Sequence, residues 1–345
     1  MTRGRRNNRL EDIASHAGVG MATVDRVLNE RGGVSQKTVT KVLESARMLG
    51  ARRILPSETR RHLVIEAVLS RSHSAYLERL NKALQEVGKL MDLPVTIYRT
   101  HIDADKPAKL ARHLAEVAEN RDGIILCAGN LPQVAKAIRK LTKFTVIVTI
   151  STDISNSKRH CYVGIDNFNA GKSAAKISES ICRKGGKVLV MSPETLAQSQ
   201  EQRFSGFRQF FDDIGLSERL IIFYQDKTPT LALADLVHTL RTNDDIRVLY
   251  SPITSTFLEL VIESGRQELA IRSTAKIVHD LSPHSAEHLR DGLIDMVIDS
   301  NPLQQVFQAI EFIAVQYGYA TKLAMPVVDF QLYTLENLPK REFPP

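Results

Sequence analysis

Few of the residue types that usually carry chemistry stand at spacings that would let them act together. Among the ten histidines, His284 and His288 are four apart and would share a helix face, a spacing that suits a metal. No third ligand accompanies them, so no metal site is expected. His279-Asp280 is the other candidate for proton chemistry, and it has no nucleophile motif beside it. Cys127, Cys161 and Cys182 are odd in number and widely spaced. They fit neither a disulfide framework nor a zinc knuckle, and they suit a reducing compartment. No Gly-rich phosphate loop leads into a helix, and no nucleophile elbow occurs. The expectation is a protein that is not an enzyme, with no catalytic residue and no cofactor.

The charges point elsewhere. The chain of 345 residues carries a net +7. Residues 1–62 hold thirteen Arg and Lys against six Asp and Glu, so the remainder is balanced at 33 of each sign. A basic module on a neutral body implies a polyanion partner for that module. With 43% hydrophobic and 25% charged residues, the chain is expected to be globular, with one large domain or two to three smaller ones. No run of about eighteen apolar residues would cross a bilayer, and the basic start lacks the apolar stretch of a signal peptide. A cytoplasmic protein with no membrane role is expected.

The elements that position the charged module are legible. Leu10, Ile13, Ala14 and Ala17 recur at helical spacing until Gly18. Met21, Val24, Val27 and Leu28 mark a second short helix over 21–28. After Gly32-Gly33, Ser35 can cap a third, with Val39, Val42, Leu43, Ala46 and Leu49 on its buried side as far as Gly50. Helix, tight Gly-containing turn and second helix is an arrangement that presents a helix to a DNA major groove, although a generic three-helix bundle shows the same periodicity.

The stretch Leu10-Glu-Asp-Ile-Ala-Ser-His-Ala-Gly-Val-Gly-Met-Ala-Thr-Val-Asp-Arg-Val-Leu-Asn29, followed by Val34-Ser-Gln-Lys-Thr38, resembles the DNA-binding domain of the lactose-repressor (LacI/GalR) family of bacterial transcription regulators. The resemblance makes 21–28 the recognition helix and sets Met21, Ala22 and Arg26 toward bases. Arg26 can fork onto a guanine edge, and Met21 and Ala22 offer apolar contact to a thymine methyl. Thr23, Ser35 and Lys37 would hold phosphates, with capping or surface roles as the competing reading for Thr23 and Ser35. Two departures appear. Gly20 replaces the usual Ser cap, and Asp25 replaces a small Ser, where it either orients Arg26 or repels phosphate. The family's hinge pattern is absent from 50–61; Leu55 with Pro56, flanked by Arg52 and Arg53, is the candidate minor-groove wedge, against a plain basic linker.

From His62 onward, strand and helix patterns alternate. Strands are expected at 64–69, 95–99, 123–127, 144–150, 187–191, 219–224, 246–250, 275–278 and 295–298. Helices are expected at 76–90, 107–118, after Pro132, and at 171–181, 206–211, 231–240, 257–264 and about 303–318. This implies parallel sheets covered by helices, in two lobes with a cleft at the strands' carboxyl ends. Val163-Gly-Ile-Asp-Asn-Phe-Asn-Ala-Gly171, Arg203-Phe-Ser-Gly-Phe207 and Asn301-Pro302 resemble, in order, segments of the same family's periplasmic-binding-protein-like core. The fold class expected is therefore an all-α helix-turn-helix domain (1–50), a linker or shortened hinge (51–62) and an α/β two-lobed effector-binding and dimerisation domain (63–345).

The resemblance implies a homodimer, operator DNA and a small effector: a sugar, sugar acid, polyol or sugar phosphate. It matches Arg203 to an arginine that reaches ligand oxygens, Asp280 to an acceptor of hydroxyls and Tyr76 to an aromatic beside the ligand, with Ser70 and Ser72 near it. Burial within its own helix is the competing role for Tyr76. Pro252-Ile253 stands where Asn-Asp is common, and Ser300 replaces a Gln. Fewer hydroxyl partners beside a retained guanidinium argue for an effector other than a plain neutral hexose. A periplasmic-type solute-binding protein without a DNA role is the alternative.

Overall fold

The computed structural model describes residues 10–29, 31, 33–49, 62–71, 75–91, 93–182, 185–193, 197–319, 327–340 and 342–343. The chain opens with α1 (Leu10–Ala17), α2 (Met21–Leu28) and α3 (Gln36–Met48). Ile13, Ala14 and Ala17 close on Val24, Val27, Leu28, Val42, Leu43 and Ala46 in one small core. Gly18 takes φ +62°, and Val19 then donates its amide back to the Ala14 carbonyl at 3.0 Å, ending α1. His16 Nδ1 meets Ser45 Oγ at 3.0 Å and ties α1 to α3.

The strands that follow are β1 (Leu63–Arg71), β2 (Val95–Asp103), β3 (Gly123–Cys127), β4 (Val146–Ile150), β5 (Cys161–Ile165), β6 (Lys187–Pro193), β7 (Leu220–Gln225), β8 (Ile246–Tyr250), β9 (Ala275–His279), β10 (Met296–Asp299), β11 (Val327–Val328) and β12 (Gln331–Tyr333). Between them run α4 (Ala75–Leu90), α5 (Pro107–Val117), α6 (Pro132–Leu141), α7 (Asn167–Ile181), α8 (Gln198–Asp213), α9 (Pro229–Thr242), α10 (Thr256–Ser264), α11 (Leu269–Arg272), α12 (Pro283–Arg290) and α13 (Pro302–Gln316). One sheet has the order β2-β1-β3-β4-β5-β11 and the other β7-β6-β8-β9-β10-β12. Every pairing is parallel except β10 with β12. The chain passes between sheets after β5, after β10 and after β11.

Alternation along each strand divides the core. Ile124 and Leu126 face α5 and α6, whereas Ile125 and Cys127 face the layer that holds Leu80 and Leu84 of α4 and Ile310 and Ile313 of α13. In the second lobe Leu189, Leu249 and Val278 face α9, α10 and α12, and Val188, Val248 and Ile277 face the opposite layer. Because both faces are covered, β3 reads as an unbroken apolar run, β4 is interrupted only by Thr149, and both are buried at every residue.

The element boundaries depart from expectation where pairing decides them. The strand expected at 95–99 runs on to Asp103 because it pairs with β1 from Leu63↔Val95 to Arg71↔Asp103. The strand expected at 144–150 starts only at Val146, and the helix expected at 206–211 covers Gln198–Asp213. Strand β5 and helix α12 have no counterpart in the expected order. The buried side of α12 is Ser285, Ala286, His288 and Leu289, a face with little apolar signal.

Candidate functional site

The inter-lobe site begins with two glycines. Helices α7 and α8 cross so closely that a Cβ on Gly171 would lie 2.0 Å from the Arg203 carbonyl oxygen, and one on Gly206 would lie 2.0 Å from the Phe168 carbonyl oxygen. Only glycine allows that approach. The crossing sets Asn167 against Arg203, whose Nε donates to Asn167 Oδ1 at 2.8 Å. The guanidinium also reaches the Pro252 carbonyl (3.3 Å), Asp280 Oδ2 (3.2 Å) and Ser300 Oγ (3.0 Å). Pro252 thus offers its backbone oxygen although its side chain has no polar atom. Burial pulls the Arg203 pKa down, but the Asp280 carboxylate beside it more than offsets this and holds the arginine charged.

A line of hydrogen bonds continues into the first lobe. Ser300 Oγ donates to Asp280 Oδ1 at 2.6 Å, and Gln305 Nε2 donates to the Ser300 carbonyl at 2.6 Å. Ser151 Oγ donates to Gln305 Oε1 at 2.9 Å, and the Tyr76 hydroxyl bonds to Ser151 Oγ. Ser151 follows β4 and Asp280 follows β9, so both stand at carboxyl ends of strands, and Asn301 caps α13. All three have positive φ, at 65°, 64° and 51°. Such left-handed backbone is uncommon outside glycine and clusters where a site is held in shape. Behind Asp280, His279 Nε2 and the Tyr250 hydroxyl lie 3.0 Å apart. Tyr250 stacks on Phe207 with centroids 4.1 Å apart. Burial, with Arg203 nearby, drives the His279 pKa well below its ordinary range, so the ring is neutral.

The lobes also touch away from Arg203. Asn130 Nδ2 donates to Gln198 Oε1 at 2.9 Å and to Ser155 Oγ at 3.2 Å. Arg79 on α4 donates to Asp299 Oδ1 of β10 (2.6 Å), the Leu281 carbonyl (2.8 Å) and Glu342 Oε1 near the carboxyl end of the chain (2.7 Å). A cavity of about 600 Å³ opens beside Arg79, between α4, the start of α13 and Tyr333. Neither Tyr76, Arg203 nor Asp280 lines it. Polar side chains of both lobes meet at strand ends around Arg203, and that convergence makes the Arg203 region the better effector candidate.

Of the effector residues expected from the sequence, Tyr76, Arg203 and Asp280 come together in one network. Tyr76 is half-buried, and its hydroxyl points to the seam rather than into its own helix. Ser70 is half-buried near the end of β1, in register with Ile102 and outside that line of bonds. Ser72 lies outside the described residues. Sequence reasoning missed Ser151 and Gln305, which are 154 positions apart and carry no motif. It also missed Asn167, although that residue stands inside the quoted segment from Val163 to Gly171. His288 is buried with Nε2 2.7 Å from Glu263 Oε1, while His284 is exposed, so the pair does not converge. No group of three metal-ligating side chains occurs among the described residues.

On the three-helix module, Met21, Ala22 and Arg26 are exposed on α2, opposite the buried Val24, Val27 and Leu28. Thr23 is half-buried and Lys37 is exposed. The Ser35 hydroxyl accepts from the Thr38 amide at 3.3 Å, so Ser35 caps α3. Gly20 opens α2 without a side-chain cap. Asp25 does not orient Arg26: it accepts from Asn29 Nδ2 at 2.7 Å and from Arg31 at 2.8 Å. Leu55 lies outside the described residues.

A compact helical module that exposes one helix precedes two largely parallel-sheet lobes with a polar seam, the architecture of a helix-turn-helix domain on a periplasmic-binding-protein-like body. Residues 65–317 match the periplasmic binding protein domain family, and residues 9–50 match the bacterial regulatory proteins of the lacI family. The body of the chain belongs to the periplasmic binding protein domain family, and its first fifty residues carry the regulatory domain of the lacI family. The chain is 24% identical over 221 residues to catabolite control protein A of Priestia megaterium, covering 62% of this chain and 64% of that one. The matched stretch therefore spans less than two thirds of that relative. Among solved structures, a putative LacI transcriptional regulator from Bacteroides fragilis superposes with a TM-score of 0.67 at 18% identity, covering 81% of this chain and 99% of that one. An ABC transporter solute-binding protein from Burkholderia graminis, in complex with D-arabinose, gives 0.67 at 13% identity over 82% and 98%. At such identities these two likenesses speak for the fold. No described helix is long and apolar enough to cross a membrane.

Proposed function

We propose that this chain is a cytoplasmic transcription regulator that binds operator DNA as a homodimer and responds to a neutral sugar or polyol held between its lobes. The DNA reading rests on one observation above others. Met21, Ala22 and Arg26 form an exposed row on a helix whose other side is wholly in the core, within the region that holds the entire net +7. An exposed guanidinium suits the O6 and N7 acceptors of guanine, and the two apolar neighbours suit thymine methyls. Lys37, Thr23 and the capped start of α3 suit phosphates. So small a reader needs a second copy for specificity, which predicts an inverted-repeat operator. The match at 9–50 is the reason to prefer this over a solute-binding protein without a DNA role.

For the effector, the pairing of Arg203 with Asp280 narrows the class. A plain neutral hexose was disfavoured on the premise of an uncommitted guanidinium, but Arg203 already donates to four oxygens, one of them on a carboxylate. The pair is neutral overall, and Ser300, Gln305, Ser151 and Tyr76 alternate donors with acceptors. A hydroxyl does both and substitutes link for link in such a line, whereas a carboxylate or phosphate only accepts and would face Asp280. Retardation of an inverted-repeat duplex, selected from genomic fragments by the purified protein, tests the DNA reading, and failure to enrich any fragment would sink it. Calorimetric titration with pentoses, hexoses, polyols, sugar acids and sugar phosphates tests the effector. The neutral compounds are expected to bind tightest, and preference for an acid or phosphate would overturn this part.

A further inference from the structure

Asp25 sits on the proposed reading helix without orienting Arg26, and its contacts point to another role.

 Both of its carboxylate oxygens are engaged within the module. Oδ1 accepts from Asn29 Nδ2 and Oδ2 from Arg31 Nη1, at 2.7 and 2.8 Å. Asn29 and Arg31 lie just past the carboxyl end of α2, where the Arg31 amide also bonds the Arg26 carbonyl at 2.9 Å. The carboxylate therefore stitches the chain after the helix back onto the helix, directly beside Arg26. The Asp25 and Arg31 side chains remain 37% and 65% exposed, so the pair lies on the surface rather than in the core.

We propose that the Asp25–Arg31 ion pair is a brake on sequence-independent DNA binding. This rests on the reading of α2 as the helix that meets DNA. Sequence-independent affinity comes from cations that neutralise phosphates and release counterions, and each such contact steepens the fall of affinity with salt. Arg31 stands next to the base-reading row, where a free guanidinium would find a phosphate. Held by Asp25 it contributes no net charge, and the carboxylate itself keeps the local field from growing more positive. A larger share of binding must then come from Met21, Ala22 and Arg26, whose contacts depend on sequence.

The test uses the full-length protein, a mixed-sequence duplex and a salt series, with wild type, Asp25→Ser and Asp25→Ser/Arg31→Gln compared. Asp25→Ser should bind the duplex more tightly at low salt, with a slope of log affinity against log salt steeper by about 0.9 per module. The double variant, which restores the net charge of wild type, should return to the wild-type slope. An unchanged slope in Asp25→Ser overturns the proposal. A steeper slope that persists in the double variant also overturns it, because the effect would then belong to the lost carboxylate and not to Arg31. Circular dichroism melting of each variant separates these outcomes from loss of the fold. Should wild type show no salt-dependent binding to any duplex, the DNA reading fails instead, and the two failures are told apart by that first measurement.

Discussion

In the three-helix module, the residues that fold and the residues that face outward are different sets. Ile13, Val24, Leu28 and Leu43 are buried in its core, while Met21, Ala22, Arg26 and Lys37 are exposed and take no part in it. At the seam between the lobes, the residues proposed to meet the effector are themselves part of the packing. Arg203 is 6% exposed, bonds to four oxygens and stands on the helix crossing that holds α7 against α8. A surface reader can change its sequence preference with little change in stability. A buried seam cannot: altering a polar partner there changes recognition and stability together.

That contrast can be broken first at Arg203. Arg203→Ala leaves Asp280 beside the seam without its cation, and removal of one member of a buried pair costs about 3–5 kcal/mol. Chemical denaturation should show that loss, and calorimetry should show effector binding weakened at least about tenfold, since a lost charge-assisted hydrogen bond is worth about 1.5–3 kcal/mol. Retention of both stability and affinity would refute the coincidence of roles. In the module, Leu43→Ala should destabilise the three helices by about 2–5 kcal/mol. Operator binding should be lost while effector binding persists, and loss of both would show that the two parts do not fold independently.

Arg26→Ala sharpens the comparison from the other side. Melting should be unchanged, and affinity for the operator should fall by about 1–3 kcal/mol per half-site with binding to mixed-sequence duplex nearly constant. Equal losses on both duplexes would make Arg26 a phosphate contact.

The smallest effect concerns His279. Its folded pKa is depressed by burial, with Arg203 nearby. The unfolded chain therefore binds a proton that the folded chain refuses. Stability from this residue is present above about pH 6.5 and is lost as pH falls below it, by at most about 1.4 kcal/mol per pH unit. Denaturation midpoints of wild type and His279→Asn, measured from pH 7 down to pH 5, should converge as the pH drops. Parallel curves would mean that His279 does not titrate as its burial requires.

What was readable in advance follows the same division. The helix over 21–28 was legible residue for residue, because helical periodicity and the glycine that precedes it are local. The exposed row at Met21, Ala22 and Arg26 came from the family resemblance; periodicity alone counted Met21 with the apolar face, and the structure leaves it exposed. Gly171 and Gly206 were visible as motif residues, but their reason is not in the motif. It is that two backbones pass within reach of a single Cβ.

The amino-acid sequence by itself determined the charge segregation, the three-helix periodicity, the alternation of strands with helices and the ordered segments around Asn167, Arg203 and Asn301. Each is a property of neighbouring residues or of composition, so no knowledge of the fold is needed to see it. Only the tertiary structure decided that Ser151 meets Gln305, that Arg79 bridges Asp299 and Glu342, that Pro252 contributes a carbonyl, and that Asp25 holds Arg31 rather than Arg26. Hydrogen-bond partners depend on which strand ends lie side by side and on how a chain turns after a helix. Sheet order and chain crossings set that proximity, and no local spacing encodes it.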